Sequence, residues 1–324
     1  MSNTVEEIKT ESGRNRNWIG VIWEQYSVLF ALLVLVVFAS VLSEYFLTVA
    51  NITNILRQVS IVGILSLGMT FVIILGGIDL SVGSVLALSG TVVMAAQVNY
   101  ASSIPVSILL GLLAGLLLGL VNGLLITYGK ITAFIATLAM MTIARSLALY
   151  YADAGAISGM NSAYAKIGNN YALGIPIPVI IFAVMVFLSY VVLEKTVFGR
   201  HIYAVGGNTQ AARLSAIPVF RVTILSYMIC GLTAAIGSVI ETSRLNSVST
   251  STSGNMYELD AIAAVIIGGA SLAGGKGRIL GTLFGVLILG VLSNVMNLLN
   301  ISPYLQGVVK GVIIVAAVLL QRRE

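Results

Sequence analysis

The sequence predicts an all-α, multi-pass membrane protein with about ten transmembrane helices and with both termini in the cytoplasm. Of the 324 residues, 58% are hydrophobic and only 9% are charged, and the mean hydropathy is +1.02. A soluble globular domain carries about 25% charged residues, so no soluble core could hide this much apolar surface. The apolar residues also fall in runs long enough to cross a bilayer, and the basic residues are distributed asymmetrically around those runs.

The counts of cysteine and histidine limit the kinds of site that the chain can build. One cysteine, Cys230, excludes an internal disulfide, and one histidine, His201, excludes a metal site made of histidine and cysteine. The pI of about 9.3 is typical of proteins that bind nucleic acid, but the positions of the basic residues indicate membrane orientation instead. We therefore expect membrane lipid, and neither a metal nor nucleic acid, around this chain.

Ten segments meet or approach the length that a transmembrane helix needs. Crossing about 30 Å of hydrocarbon takes about 20 mostly apolar residues in a helix. We expect residues 1–24 to be a cytoplasmic N-terminal tail, residues 25–320 the transmembrane domain, and residues 321–324 a cytoplasmic C-terminal tail. The sixth and eighth segments are short, which leaves tilt, a re-entrant turn or a different number of crossings open for them. The ten segments lie near residues 25–43, 58–76, 80–98, 104–127, 131–151, 177–193, 222–241, 259–274, 279–299 and 303–320.

The basic residues orient the chain in the membrane. With ten crossings and a cytoplasmic N-terminus, twelve of the 17 lysine and arginine residues fall on the inner side, as the positive-inside rule requires. An odd number of crossings would place one of the two terminal basic clusters outside. The inner residues are Lys9, Arg14, Arg16, Lys130, Lys195, Arg200, Arg213, Arg221, Lys276, Arg278, Arg322 and Arg323.

The fourth segment carries a stripe of glycines on one helical face. Gly111, Gly115, Gly119 and Gly123 recur at every fourth position. Such a face lets a neighbouring helix approach closely, so we favour a packing seam, and a pore-lining or dimer face is the alternative. Asn122 lies beside the stripe, where it would either bond to another helix or face a water-filled path.

A charged residue follows the second segment, in the stretch GGIDLSVGS. We place it near the inner end of that segment, where a charge costs much less than at the membrane centre. An ion or proton site is one interpretation. We favour a turn and cap, in which the glycines make the turn and the side chain of Asp79 or Ser81 accepts hydrogen bonds from the next helix. The motif comprises Gly76, Gly77, Asp79, Ser81 and Gly83.

The longest inner connection, residues 194–221, contains a short helix. Asn208 is a good N-cap and Pro218 closes the segment. Its small residues give a low-relief surface, and its scarcity of bulky apolar side chains favours docking to a protein over anchoring in lipid. The docking segment, as we call it, comprises Gly206, Gly207, Asn208, Ala211, Ala212, Arg213 and Pro218.

Several stretches around these positions resemble one family. The chain is similar to the membrane permease subunit of ribose-type monosaccharide ABC importers over nearly all of its length after about residue 25. The similarity is carried by GGIDLSVGS, FGRHIYAVGGNTQAARLSAI, YELDAIAAVIIGGASLAGGKGRILGTL and SPYLQGVVKGVIIVAAVLL. The resemblance implies a translocation subunit in the bacterial cytoplasmic membrane, fed by an extracytoplasmic sugar-binding protein and driven by a separate cytoplasmic ATP-binding subunit. It also implies a second permease copy, and it makes residues 206–218 the segment that couples to the ATPase.

The resemblance implies that ATP and magnesium bind to the partner ATPase, with no cofactor in this chain. The stretch ASLAGGKGR fails the phosphate-loop pattern G-x-x-x-x-G-K-[ST] twice, because Ala270 replaces its first glycine and Gly277 replaces its serine or threonine. We interpret Lys276 and Arg278 as inner anchors. The sequence offers no paired carboxylates and no Ser/His/Asp set, so we expect no enzymatic activity.

The outer connection before the eighth segment departs from the family pattern. Permeases of the ribose type usually carry SAQPTAG where residues 247–254 read SVSTSTSG, which leaves the particular sugar open. Glu258 and Asp260 then begin the eighth segment. Acids in a first helical turn complement the helix dipole, so we favour capping, with contact to a partner or a sugar hydroxyl as the alternative.

The sugar path is marked only by scattered polar residues. A sugar needs amide and hydroxyl partners, although such side chains also bond helix to helix. An alternative function is that of a stand-alone, ion-coupled secondary transporter, for which Asp79 would be the coupling site. The candidates for the sugar path are Asn54, Gln58, Asn122, Asn294 and Asn297.

Overall fold

The computed structural model describes residues 18–159 and 161–321 of the chain. Residues 1–17 and 322–324, which belong to the two predicted tails, lie outside the described residues. Helix α1 begins at Trp18, within the predicted N-terminal tail.

Apolar runs form helices throughout the described residues, because in a bilayer each backbone N–H and C=O must be paired within the protein. Two short antiparallel strand pairs accompany them: β1 (Ala156–Ser158) with β4 (Ser247–Ser249), and β2 (Tyr171–Ala172) with β3 (Ile175–Pro176). The helices are α1 (Trp18–Leu42), α2 (Val49–Ile74), α3 (Val82–Val98), α4 (Ile104–Thr127), α5 (Ala133–Tyr151), α6 (Ser162–Asn169), α7 (Ile177–Tyr190), α8 (Val197–Gly207), α9 (Thr209–Leu214), α10 (Val219–Leu245), α11 (Tyr257–Ile267), α12 (Ile279–Leu298) and α13 (Pro303–Gln321).

Six helical spans in the described residues are long and apolar enough to cross a membrane. They are α2, α4, α5, α10, α12, and α7 extended by a π-helical turn to Lys195. Helices α1, α3 and α13 contain shorter apolar stretches. The predicted all-α, multi-pass architecture is thus confirmed.

The eighth predicted segment, residues 259–274, is not one continuous helix. Helix α11 has 11 residues, which at 1.5 Å per residue span about 16 Å, or about half of the hydrocarbon thickness. It ends at Ile267 because the next two residues are glycines. The second, Gly269, has a φ of +88°, a left-handed conformation that glycine adopts without steric cost.

Helix α2 is longer than the predicted second segment, residues 58–76. It begins at Val49, directly after Thr48, whose side chain accepts a hydrogen bond from the N–H of Asn51. The first turns of α2 carry polar residues that lower the local hydropathy. For that reason hydropathy alone placed those turns outside the helix.

Helices α2 and α10 form the centre of the bundle. They pack against each other, and α10 also packs against α3 and α4. Within the chain, 83% of the most apolar stretch of α2 is buried, against 22% for that of α4. The outward apolar side chains of α4 are therefore available to lipid or to a partner chain.

The glycine stripe of α4 faces α10 and α3. A Cβ atom at Gly115 would lie 2.5 Å from the carbonyl oxygen of Gly231, and one at Gly123 would lie 2.7 Å from the Cα atom of Ile224. Non-bonded atoms do not approach that closely, so α4 and α10 pack backbone to backbone. All four glycines of the stripe are buried. The structure therefore places the stripe on a helix contact within one chain, and not on a pore-lining or dimer face.

Replacing Gly115 by alanine is expected to destabilise the protein by about 1–3 kcal/mol, because the seam has no room for a methyl group. The thermal unfolding midpoint of the purified protein in detergent measures this effect. Gly311→Ala on α13 is the matched control, since no atom lies within 4 Å of a Cβ built there. Equal unfolding midpoints for the two variants would contradict the seam.

Candidate functional site

The docking segment contains a short, capped helix between α8 and α10. Helix α9 begins after Asn208, whose side chain accepts a hydrogen bond from the N–H of Ala211 at 2.9 Å. Ala211 is exposed and Ala212 packs inward, so the helix rests on the protein through one side only. Pro218 stands at the N-cap position of α10 and ends the segment.

At the end of α9, in the docking segment, an exposed apolar side chain lies beside a cationic one. Leu214 is 91% exposed, at the last residue of α9. The neighbouring Arg213 is exposed as well, and its guanidinium carbon lies 5.5 Å from the centre of the Phe220 ring, a distance at which the ring face attracts the cation. A partner protein could cover the leucine and pair with the arginine in a single contact.

Three chain segments meet backbone to backbone where α8 leads into the docking segment. A Cβ atom at Gly274 would lie 2.7 Å from the carbonyl oxygen of Gly206 and 3.1 Å from the Cα atom of Gly76. The N–H of Gly275 donates to the carbonyl oxygen of Ile74 at 2.8 Å. A displacement of the docking segment would therefore press on the segments that follow α2 and α11. We call this contact the glycine junction; it consists of Gly76, Gly206, Gly207, Gly274 and Gly275.

A tyrosine of α8 forms a hydrogen bond in the same region. The hydroxyl of Tyr203 donates to the carbonyl oxygen of Gly277 at 2.8 Å. Burial, with a smaller contribution from Glu194, raises the pKa of Tyr203 to about 12 against the opposing effect of Arg278. The hydroxyl therefore stays protonated, and keeps donating this hydrogen bond, at physiological pH.

Asp79 lies in a buried polar cluster between α2 and α3. It is 1% exposed, and its Oδ1 accepts hydrogen bonds from the N–H of Ser81 at 2.9 Å and from its hydroxyl at 2.6 Å. The side-chain amide of Asn122 on α4 donates to the same hydroxyl at 3.0 Å. Gly77 leaves room for Tyr227 of α10, because a Cβ atom at Gly77 would lie 2.5 Å from the tyrosine hydroxyl. The carboxylate thus has buried partners that the sequence did not reveal.

For two residues of this cluster the structure distinguishes between alternatives that the sequence left open. Ser81 occupies the N-cap position of α3, but its side chain makes no capping bond, because the hydroxyl is shared between Asp79 and Asn122. Asn122 is fully buried, so in this structure it bonds between helices and does not face a water-filled path.

The N-terminal ends of α3 and α11 meet. A Cβ atom at Gly83 would lie 2.5 Å from a carboxylate oxygen of Glu258. Arg145 of α5 lies at the same place and donates to the carbonyl oxygens of Thr250 and Ser253, each at 2.8 Å, which holds the SVSTSTSG connection against the helices. Sequence reasoning missed Arg145 as a site residue, although a lone arginine within an apolar segment signals a functional position.

Four of the five residues predicted for the sugar path lie on α2 and α12. Asn51 and Asn294 exchange two side-chain hydrogen bonds, at 3.0 and 2.7 Å. Asn297 accepts from the amide of Gln306 on α13 at 2.8 Å, and Asn54 accepts from Arg244 at 3.2 Å. Gln58 is exposed on α2. We give the name polar track to these residues together with Ser293 of α12. The polar track consists of Asn51, Asn54, Gln58, Ser293, Asn294, Asn297 and Gln306.

The polar track leads to an ion pair between α11 and α13. The Nζ atom of Lys310 lies 2.9 Å from both carboxylate oxygens of Asp260. Gln58 and Ser293 line the cleft beside this pair. Asp260 lies in the first turn of α11, where its charge complements the helix dipole as expected, and its carboxylate also binds a lysine 50 residues further along the chain.

Comparisons with known proteins show what the chain as a whole is similar to. A family model described as the permease component of a branched-chain amino acid transport system matches residues 51–318. The ribose import permease protein of Bacillus subtilis is 49% identical over 321 residues, which cover 98% of each chain. The ribose import permease protein of Escherichia coli K12 is 44% identical, covering 98% of this chain and 99% of the relative. The L-arabinose transport system permease of the same strain is 40% identical, covering 94% and 92%. No solved structure matches this chain.

Replacing Asp79 by leucine is expected to lower the unfolding midpoint clearly, because the buried N–H and hydroxyl of Ser81 lose their acceptor, at about 1–3 kcal/mol for each unpaired group. Asp79→Asn is the matched control, since its side-chain carbonyl can still accept from Ser81. Thermal unfolding in detergent compares the two variants. Should the leucine variant prove as stable as the asparagine variant, the hydrogen bonds of Asp79 do not stabilise this turn.

Proposed function

Because the chain belongs to the family of transport-system permease components, we propose that it is the membrane permease subunit of an ATP-driven importer for ribose or a closely related monosaccharide. The observation that carries this proposal is the 49% identity to a ribose import permease across 98% of both chains.

The structure supports an arrangement with ten crossings in the bacterial cytoplasmic membrane and both termini inside. In this arrangement the eighth crossing consists of the connection 246–256 followed by the short helix α11. The glycine junction supports it, because the ends of α2, α8 and α11 then lie on the same, inner side. The basic residues Lys195, Arg200, Lys276 and Arg278 flank these ends and agree with that orientation.

Energy for transport comes from a separate ATP-binding subunit in this proposal, and ATP and magnesium bind there. The docking segment seats in that subunit through the exposed Leu214 and Arg213. When nucleotide binding moves the ATPase, the glycine junction passes the displacement to the ends of α2 and α11. The close backbone contacts at Gly206 and Gly274 favour this route, since a displacement of one segment toward the other presses on it.

The polar track is the proposed wall of the sugar path, and part of it lies on the surface of the single chain. Gln58 is exposed, and the side chain of Lys310 is 26% exposed. A second copy of the permease facing this surface would enclose the path between two such walls. An extracytoplasmic sugar-binding protein would deliver the sugar at the end formed by Asn51 and Asn297, where α2 begins and α12 ends.

Reconstitution tests the function directly. Liposomes that contain this chain, its ATP-binding subunit and the sugar-binding protein should take up labelled ribose only when ATP is present on the cytoplasmic side. Uptake by this chain alone, driven by an ion gradient, would instead establish a secondary transporter. Parallel assays with arabinose and allose identify the preferred sugar.

Replacing Leu214 by aspartate is expected to reduce ATP-driven uptake about tenfold or more, because the charge removes an apolar contact near the centre of the proposed interface. Pull-down of the ATP-binding subunit with the purified variant separates lost docking from lost transport. Leu173→Asp is the matched control: Leu173 is fully exposed too, but it lies in the turn between β2 and β3. If the Leu214 variant binds the ATPase and transports as the unmodified chain does, α9 is not the docking element.

A further inference from the structure

An ion pair lies where α13 crosses the bundle beside α11. Lys310 is flanked by apolar residues in the stretch Pro303–Ala316, and both carboxylate oxygens of Asp260 contact its ammonium group at 2.9 Å. Charged groups inside a membrane are rare, and they face either the bundle interior or a water-filled cavity. The side chains of Lys310 and Asp260 keep 26% and 18% of their surface exposed, so the pair is not sealed in the interior. Water, and not lipid, is the environment that tolerates this exposure.

We propose that Asp260, Lys310, Gln58 and Ser293 form a subsite of the translocation path that binds the hydroxyl groups of a passing monosaccharide. The proposal rests on the proposed function and assigns side chains to it. The four residues come from four different helices and line one cleft.

The chemistry of the subsite matches an uncharged polyol. Each sugar hydroxyl both donates and accepts hydrogen bonds, and here the carboxylate accepts, the ammonium donates, and the amide of Gln58 and the hydroxyl of Ser293 do both. Hydrogen bonds to charged groups are about twice as strong as neutral ones, so the two charges give the strongest contacts. The charges of Asp260 and Lys310 cancel, so an ion gains little from the cleft, and an apolar solute would leave the charges unpaired.

The polar track supplies an approach to the subsite. The Asn297–Gln306 and Asn51–Asn294 bonds lie at the end where α2 and α13 begin and α12 ends. Gln58 lies two helical turns along α2 from Asn51, and Lys310 lies one turn along α13 from Gln306. A sugar whose hydroxyl groups bind one side-chain amide after another along this face arrives at the ion pair.

The cleft is narrow in this structure. Its volume of about 30 Å³ holds about one water molecule and is far smaller than a sugar. Binding therefore requires α11 to separate from α13, with the sugar hydroxyls replacing the contact between Asp260 and Lys310. The inner end of α11 leads into the glycine junction. A displacement of the docking segment can therefore act on α11 and separate it from α13.

Cysteine labelling of the complete reconstituted importer tests the subsite without removing either charge. The native Cys230 is fully buried, so the background is low. Gln58→Cys should react with a charged, water-soluble thiosulfonate reagent, and saturating ribose plus binding protein should slow that reaction about threefold or more. Val312→Cys is the control, because Val312 is 64% exposed on the apolar helix α13 and should face lipid. Labelling that ribose does not slow, or that is equal at the two positions, overturns the proposal.

Exchanging the charges separates sugar binding from a structural role. The double variant Asp260→Lys, Lys310→Asp keeps an ion pair between α11 and α13 but interchanges the donor and the acceptor. Uptake should fall about tenfold, as expected for the loss of one well-made charged hydrogen bond, while assembly with the ATPase is kept. Uptake at the unmodified rate would show a purely structural pair and overturn the subsite. If the unmodified importer itself takes up no ribose, the proposed function fails instead. If the double variant does not assemble, the labelling experiment alone decides whether the subsite exists.

Discussion

The absence of water from the hydrocarbon core is the constraint on which the rest of this structure depends. Each backbone polar group there must find a partner inside the protein, so a helix can break only where other groups take over its hydrogen bonds. The break after α2 meets this condition through Asp79 and through the bond from Gly275 to Ile74. The turn that follows α11 is paired by the same contact with α2. The two breaks are adjacent, and this backbone hydrogen bond joins them.

Glycine serves this constraint in two different ways. Along α4 the glycines are helical and buried, and they bring α4 and α10 together over several turns, which makes a rigid unit. At the glycine junction Gly76, Gly274 and Gly275 have φ values of +86°, +88° and +74°, and they touch their neighbours through a few backbone atoms only. A long seam resists relative motion, whereas a local contact between turns allows it. The junction is therefore the place where a push from the cytoplasm can change the angle between helices.

Hydropathy was sufficient to predict the apolar helices, because burial in lipid is a property of each segment taken alone. It did not predict the first turns of α2, where Asn51 and Asn54 are paired with residues that lie far away in sequence: Asn294 and Arg244. The same holds for Asp260, whose local position in a first helical turn suggested a cap while Lys310 supplied a stronger partner. For the docking segment, cap chemistry is local, so Asn208 could be identified from its neighbours. Partners of buried polar groups are set by tertiary packing, and no single segment encodes them.

Helix α11 is short, and it links the glycine junction to the ion pair of Asp260. One end of α11 meets Gly83 and carries Asp260, and about 16 Å away the other end turns into the glycine junction. A helix that spanned the whole membrane would be held at both surfaces by its neighbours and by its interfacial side chains. A half-length helix with glycines directly behind it can tilt as a unit, so in the proposed mechanism a small displacement at the junction would separate Asp260 from Lys310. In the proposed mechanism the energy of the cytoplasmic partner would reach the proposed sugar path through this one short helix, and sugar hydroxyls would replace the contact between the two charges.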